Sequence, residues 1–240
     1  MRIKKNSIFN IGIIGCGLIG KKRADNLGKR GRLIACADIN IKNAQLVSNK
    51  DKKIQFFKDW KKLLKIKELD IVIIATVHNQ MSRILLEAIK MGKHVFIEKP
   101  ASISLIMLRS IIEKNKVLKR KIRVGYNHRF LSAIIKSKEL LEKNTLGNLM
   151  FIKASYGHGG RSGYDKEWRM NPKISGGGEL IDQGSHLIDL SEFFFGKIVK
   201  AEGTLRDFFW KKKVDDNAFL TLKFKNNLIS FLHVSCTEWK

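Results

Sequence analysis

The sequence predicts an α/β protein, with a doubly wound parallel sheet over residues 1–125 and an α+β domain with an open, mostly antiparallel sheet over residues 126–240. Three observations predict it. Short β-branched runs alternate with helical patterns through the first half, as in a sheet buried on both faces. The first run, Ile8 to Ile14, stops at the glycine-rich turn Gly15-Cys16-Gly17-Leu18-Ile19-Gly20. From Leu149 onward, longer strand-like runs follow one another with a single helical stretch between the first and second.

The turn reads G-x-G-x-x-G. The first glycine permits a tight bend, the second lets backbone approach a pyrophosphate, and the third lets the helix lie close on its strand. A second buried-strand run, Leu33 to Ala37, ends at Asp38, about 20 residues beyond the glycines. A carboxylate there accepts from the adenosine ribose hydroxyls and repels a 2′-phosphate, so NAD is expected as the cofactor over NADP. Gly15, Gly17, Leu18, Ile19, Gly20 and Asp38 are the first candidate cofactor residues.

Ile54 to Phe57, a helix opened by Asp59, and the apolar strand Ile71 to Ala75 continue the alternation. Thr76 and Asn79 follow at that strand's carboxyl end, where open α/β sheets bind ligands, and are expected near the nicotinamide. His78 in the same stretch reads as a solvent-facing loop residue. A helix through Ile84, Leu85, Ala88 and Ile89 stops at Gly92, and His94 to Ile97 forms the next strand. It delivers Glu98-Lys99-Pro100 to the same edge as the glycine turn, which adds Glu98 and Lys99 to the cofactor candidates. A helix over Ser102 to Lys119, a strand over Ile122 to Tyr126 and a helix over Phe130 to Lys143 come next. Strands are then expected at Leu149 to Tyr156, Lys200 to Trp210, Asn217 to Lys225 and Leu228 to Thr237.

The net charge of +25 raises nucleic acid or an anionic membrane as partners. Its lysines are scattered, densest from Lys50 to Lys67, and no nucleic-acid motif accompanies them, so they read as solvated surface. Cys16, Cys36 and Cys236 are odd in number and widely spaced, which indicates neither a disulfide framework nor a zinc site and fits the cytoplasm. The basic N-terminus before Ile8 to Gly20 imitates a signal peptide, but glycines interrupt the apolar stretch and no cleavage pattern follows. Neither a membrane nor a metal is expected.

Between the first and second late strands runs Ser175-Gly176-Gly177-Gly178-Glu179-Leu180-Ile181-Asp182-Gln183-Gly184-Ser185-His186. Asp182 and His186 are four apart and so share a helix face. A carboxylate and an imidazole one turn apart suit general-base work, and a polar stripe on an ordinary amphipathic helix has the same pattern.

With Gly15-x-Gly17-x-x-Gly20, Glu98-Lys99-Pro100, the Gly125-Tyr126-Asn127-His128-Arg129-Phe130 segment and this glycine-rich stretch in order, the chain resembles the family of glucose-fructose oxidoreductase, inositol dehydrogenase and the rhizopine-catabolism oxidoreductases. The resemblance implies a Rossmann domain followed by an α+β domain whose open sheet serves for homo-oligomerisation. It implies that Lys99, Asp182 and His186 are catalytic, with hydride passing from a sugar or polyol hydroxyl to C4 of a nicotinamide. His186 would take the hydroxyl proton, Lys99 would stabilise the alkoxide, and Asp182 would position the substrate.

Arg161, Tyr164, Trp168 and Arg169 supply aromatic faces for a sugar ring and guanidinium groups for an anion, and Asn127 and Arg129 are further candidate contacts. That loop resembles family members acting on activated sugars, so a nucleotide-linked sugar or uronate is the expected substrate. An inositol or polyol dehydrogenase and a non-catalytic NAD-binding sensor are the alternatives. Val77 and Met81 depart from the family's usual Pro and His near Thr76. The family continues past the last strand whereas this chain stops at Lys240, so a truncated domain with an exposed sheet edge is expected.

Overall fold

A computed structural model describes residues 7–239 and divides the chain into two compact units, Met1–Gly125 and Tyr126–Lys240. In the first, strands and helices alternate in the order β1 (Phe9–Ile14), α1 (Leu18–Asp25), β2 (Gly31–Ala37), α2 (Ile41–Ser48), β3 (Gln55–Phe57), α3 (Trp60–Leu64), β4 (Ile71–Ile74), α4 (His78–Lys90), β5 (His94–Ile97), α5 (Leu105–Leu118) and β6 (Ile122–Val124). All pairings are parallel and the strand order is β3-β2-β1-β4-β5-β6, the dinucleotide-binding order.

The continuous apolar runs follow from burial on both faces. Successive side chains point to opposite sides of a strand, so β4 sends Val72 and Ile74 into one core with Leu85, Ile89 and Ile111, and Ile73 into the other with Cys36, Ala44 and Val47. The lysines from Lys50 to Lys67 are all exposed. His78 is a correction: it opens α4 and is 4% exposed, on the packed side of an amphipathic helix.

The second unit runs through a 3₁₀ turn (Asn127–Phe130), α6 (Ser132–Glu142), β7 (Phe151–Gly157), two short 3₁₀ turns, α7 (Pro172–Ser175), a π-helical turn (Leu180–Gly184), α8 (Ser185–Phe195), β8 (Ile198–Arg206), β9 (Asn217–Phe224) and β10 (Ile229–Ser235). Its sheet has the order β7-β10-β9-β8, with β10 parallel to β7 and the other pairs antiparallel. Leu187 and Phe195 of α8 pack on Ala218, Leu222, Leu232 and Val234 of the inner face. Phe151, Phe219 and Phe231 lie exposed on the other face.

Two expectations change here. The last strand is interior, held by β7 on one side and β9 on the other, and the sheet's edges are β7 and β8. The strand expected to reach Trp210 ends at Arg206, because the Asp216 carboxylate accepts the N–H groups of Phe208, Phe209 and Trp210 and draws them out of the ladder. Among the described residues no helix is long and apolar enough to cross a membrane, and no cluster of three or more His, Cys, Asp or Glu is placed to hold a metal.

Candidate active site

One group of candidate residues lies at the carboxyl edge of the parallel sheet of the first unit. Gly15 has φ +91°, and a Cβ on it would strike the Ala75 carbonyl. A Cβ on Gly20 would strike the Gly15 carbonyl, so α1 lies close on the turn only because residue 20 has no side chain. Gly17 faces open space with nothing within 4 Å of a built Cβ. This is the cradle that a dinucleotide pyrophosphate needs, and the preceding Leu18 and Ile19 expectation lands on the first helical turn, where both side chains are exposed.

Asp38 follows β2. Its Oδ2 accepts from Cys16 N at 2.7 Å and its Oδ1 from Asn40 N at 2.8 Å. The helix cap is Asn40, whose side chain accepts from Lys42 N, so Asp38 is not spent on capping. Each carboxylate oxygen retains acceptor capacity for a ribose hydroxyl. These residues fit NAD: a glycine cradle at a helix N-terminus with an acidic side chain bonded to its backbone.

Thr76 and Asn79 stand at the end of β4 and the start of α4. Glu98, one residue past β5, is committed to Arg23 of α1, with Nε to Oε1 at 2.6 Å, and that guanidinium stacks 5.0 Å over Phe96. Sequence reasoning missed Arg23, since an arginine inside a lysine-rich helix carries no motif. Lys99 is half-buried at the same strand end, and the Lys99-Pro100 peptide is cis.

A second group of candidate residues lies in the other unit and is organised by the π-helical turn. A regular α-helix was expected through Asp182 and His186, but the turn widens over Leu180–Gly184 before α8 begins. Asp215 sets it up: its carboxylate accepts from Gly178 N at 2.9 Å and Leu180 N at 2.7 Å. A side chain on Gly178 would strike the Asp215 carbonyl, which explains the glycine there. Such turns are uncommon and collect at functional sites. No local pattern joins Asp215 to a turn more than thirty residues earlier, so only the fold reveals it.

Asp182 is 8% exposed and His186 5%. Asp182 Oδ2 accepts from Arg169 Nε at 2.9 Å. Burial works against the Arg169 charge, yet the Asp182 carboxylate beside it holds its pKa above the usual value. His186 stacks on His128 with ring centroids 3.9 Å apart and planes 17° apart, and Tyr126 meets it edge-on at 6.0 Å. The two faces of this packing fix the plane of the imidazole. Sequence reasoning missed the part His128 plays, since no local pattern joins it to a ring nearly sixty residues later.

The expected anion-binding arginines are already engaged. Arg129 forms a two-point pair with Asp189, at 2.7 Å and 2.6 Å, and that hydrogen bonding raises its pKa. Arg161 pairs with Glu167 at 2.5 Å, and Arg169 pairs with Glu167 as well as with Asp182. Trp168 lies under the Arg169 guanidinium at 4.7 Å. Tyr164 is 2% exposed and donates its hydroxyl to Glu179 Oε1 at 2.9 Å, so its ring packs the loop against the turn. Asn127 opens the 3₁₀ turn that carries His128 and Arg129.

Comparison with known proteins places the two units in known families of domains. Residues 9–126 match the oxidoreductase family NAD-binding Rossmann fold, and residues 134–240 match the GFO/IDH/MocA C-terminal domain. The chain is 30% identical over 209 residues to Oxidoreductase P35 of Formosa agariphila, covering 80% of this chain and 62% of that protein. It is 28% identical over 231 residues to Myo-inositol 2-dehydrogenase of Thermotoga maritima, covering 93% of this chain and 67% of that one. The solved structure of levoglucosan dehydrogenase with NADH and levoglucosan has the same fold, with TM-score 0.87 at 21% identity over 97% of this chain and 68% of that chain. The chain spans 62% of Oxidoreductase P35 and 53% of the Bacillus subtilis Glucose-6-phosphate 3-dehydrogenase it also resembles. With both units matched by its models, the chain belongs to the Gfo/Idh/MocA family of NAD-binding oxidoreductases.

Proposed function

We propose that the chain acts in the NAD-dependent oxidation of a hydroxyl on an uncharged sugar or polyol, with residues 1–125 as the cofactor domain and 126–240 as the substrate and oligomerisation domain. The observation that carries the uncharged class is the pairing of Arg129, Arg161 and Arg169 with Asp189, Glu167 and Asp182. An anionic substrate would have to break a carboxylate pair to recruit any of them, which removes most of the gain from binding it. The expected nucleotide-linked sugar or uronate is therefore the weaker reading. Among the relatives, the inositol and levoglucosan dehydrogenases are named for uncharged substrates, which supports this class, whereas the Bacillus subtilis Glucose-6-phosphate 3-dehydrogenase is named for an anionic one.

The bound cofactor supplies the hydride acceptor at nicotinamide C4. His186 takes the proton of the substrate hydroxyl while its carbon gives up hydride and becomes a carbonyl. The ring plane held by His128 and Tyr126 orients that base. The Lys99 ammonium donates to the developing alkoxide. Asp182, held by Arg169, orients a neighbouring hydroxyl. The three buried free cysteines fit the reducing cytoplasm.

Absorbance of NADH tests the reading directly. Across inositols, hexoses, an anhydrosugar, uronates and sugar nucleotides, uncharged substrates are expected to reduce NAD, with NADP a poor replacement because of Asp38. Turnover confined to the anionic sugars would overturn the assignment. Stoichiometric NAD binding with no NADH from any of them would favour the non-catalytic alternative.

A second copy of the chain is the proposed cover for the outer face of the C-terminal sheet, where Phe151, Phe219 and Phe231 are exposed beside a concavity of about 900 Å³. Phe231→Asp is expected to lower the mass measured by light scattering to that of one chain. An unchanged mass would exclude this face as the interface.

A further inference from the structure

Glu179 is a deeply buried acid beside the π-helical turn that the reaction does not use. It is 2% exposed and lies three residues before Asp182. Its Oε1 accepts the Tyr164 hydroxyl at 2.9 Å. Its Oε2 is buried without a hydrogen bond of ordinary length, and His158 Nε2 stands 3.6 Å away. That gap is longer than a hydrogen bond, and a small movement of the ring would close it.

The tautomer of His158 follows from its other nitrogen. Gly160 N donates to His158 Nδ1 at 3.0 Å, so a neutral ring carries its hydrogen on Nε2, aimed at the Glu179 carboxylate. Burial, first, holds the His158 pKa below its usual value, which keeps the ring neutral. Both donors come from the 157–169 stretch, and the same stretch supplies Arg169 to Asp182.

We propose that the Glu179 carboxylate and the neutral His158 ring form a one-proton latch that seats the 157–169 loop on the turn carrying Asp182, making Glu179 a positioning residue for the site. The consequence for turnover rests on the reading given above. The latch itself rests only on the cluster. With Glu179 ionised, Tyr164 and the Cys236 thiol donate to it, and a small movement of the ring brings in the His158 Nε2–H as a further donor. When Glu179 takes up a proton, its Oε2–H meets the Nε2–H of His158 and that arm is lost.

The groups facing the pair set where the proton is exchanged. Around Glu179 these are Tyr164 and Arg169 from the loop, Asp182 from the turn, Asp215 ahead of β9 and the Cys236 thiol after β10. Around His158 they are Asp182, Arg161, Arg169 and Glu167. No cation meets the Glu179 carboxylate, since Arg169 is spent on Asp182 and Glu167. Burial therefore pushes the Glu179 pKa up to about 7, against the hydrogen bonds from the Tyr164 hydroxyl and the Cys236 thiol, which lower it.

A carboxyl whose folded pKa is raised stabilises the fold fully below its unfolded value, near 4.5, and loses that contribution as pH rises through about 7. Glu179→Gln, neutral at every pH, is thus expected to be the more stable protein at pH 8.5 while having the looser loop. A packing role alone would not give these opposite signs.

The test is hydrogen exchange at the Gly160 amide, followed by NMR on the whole chain without substrate and corrected for intrinsic rates. In the wild type, protection is expected to fall as pH drops through about 7. In Glu179→Gln the step should vanish, with protection at its low level throughout. A step that persists in Glu179→Gln would belong to His158 alone and overturn the latch, as would a wild type with no step. Should Glu179→Gln fold poorly, Tyr164→Phe serves instead: losing one donor should move the midpoint to higher pH, and an unmoved midpoint overturns the proposal. None of these readings depends on turnover, so failure of the proposed reaction leaves the test standing.

Discussion

His186→Ala is expected to lose about 10²- to 10⁴-fold in turnover while NAD binding survives, the usual cost of removing a general base. Lys99→Ala is expected to lose a comparable amount, about 3 to 4 kcal/mol of transition-state stabilisation, if its ammonium meets the developing alkoxide. Retained affinity is expected because the glycine cradle and Asp38 need neither side chain. His186 is also packed, stacked on His128 and edge-on to Tyr126, so an alanine leaves a hole. His186→Asn fills more of that hole without a base and separates the two effects. Unchanged turnover in either Lys99→Ala or His186→Asn, measured with the best substrate of the panel, would remove that residue from the chemistry.

The second large effect is at the turn. Gly20→Ala is expected to lower stability by about 1 to 3 kcal/mol or more and to weaken NAD binding together, because its Cβ falls on the Gly15 carbonyl and backbone cannot step aside as a side-chain tip can. Gly17→Ala should behave differently. Its Cβ meets nothing, so the melting temperature should stay near wild type while NAD affinity falls by about tenfold or more, the added methyl occupying the face on which backbone meets the pyrophosphate. Calorimetry for stability and titration for affinity separate the pair. Equal stability losses would mean that the turn relaxes as a unit.

The Rossmann half was legible because its signals are local. Each β-branched run is a strand buried on both faces, each helix is bounded by caps such as Asn40, Asp59 and Gly92, and the glycines and Asp38 fall at spacings that the βαβ unit imposes. The boundaries that moved did so through contacts from afar. β8 stops at Arg206 because Asp216 captures the next N–H groups, and the interior place of β10 depends on pairing with β7, almost eighty residues earlier in the chain.

The candidate site divides in the same way. Residue types and spacing alone single out Gly15, Gly17, Gly20, Asp38, Asp182 and His186 as candidates, and the family resemblance gives Lys99, Asp182 and His186 their expected catalytic roles. What the arginines do is different: Arg129, Arg161 and Arg169 are cations available to an anion in one dimension and partners of Asp189, Glu167 and Asp182 in three. The stack of His128 on His186, the hold of Asp215 on the widened turn and the burial of Glu179 likewise exist only once distant segments meet. Spacing along the chain determined which groups are candidates to bind a dinucleotide and move a proton. Tertiary packing decided which charges were already neutralised, because a salt bridge depends on distance in space and carries no mark in the order of residues.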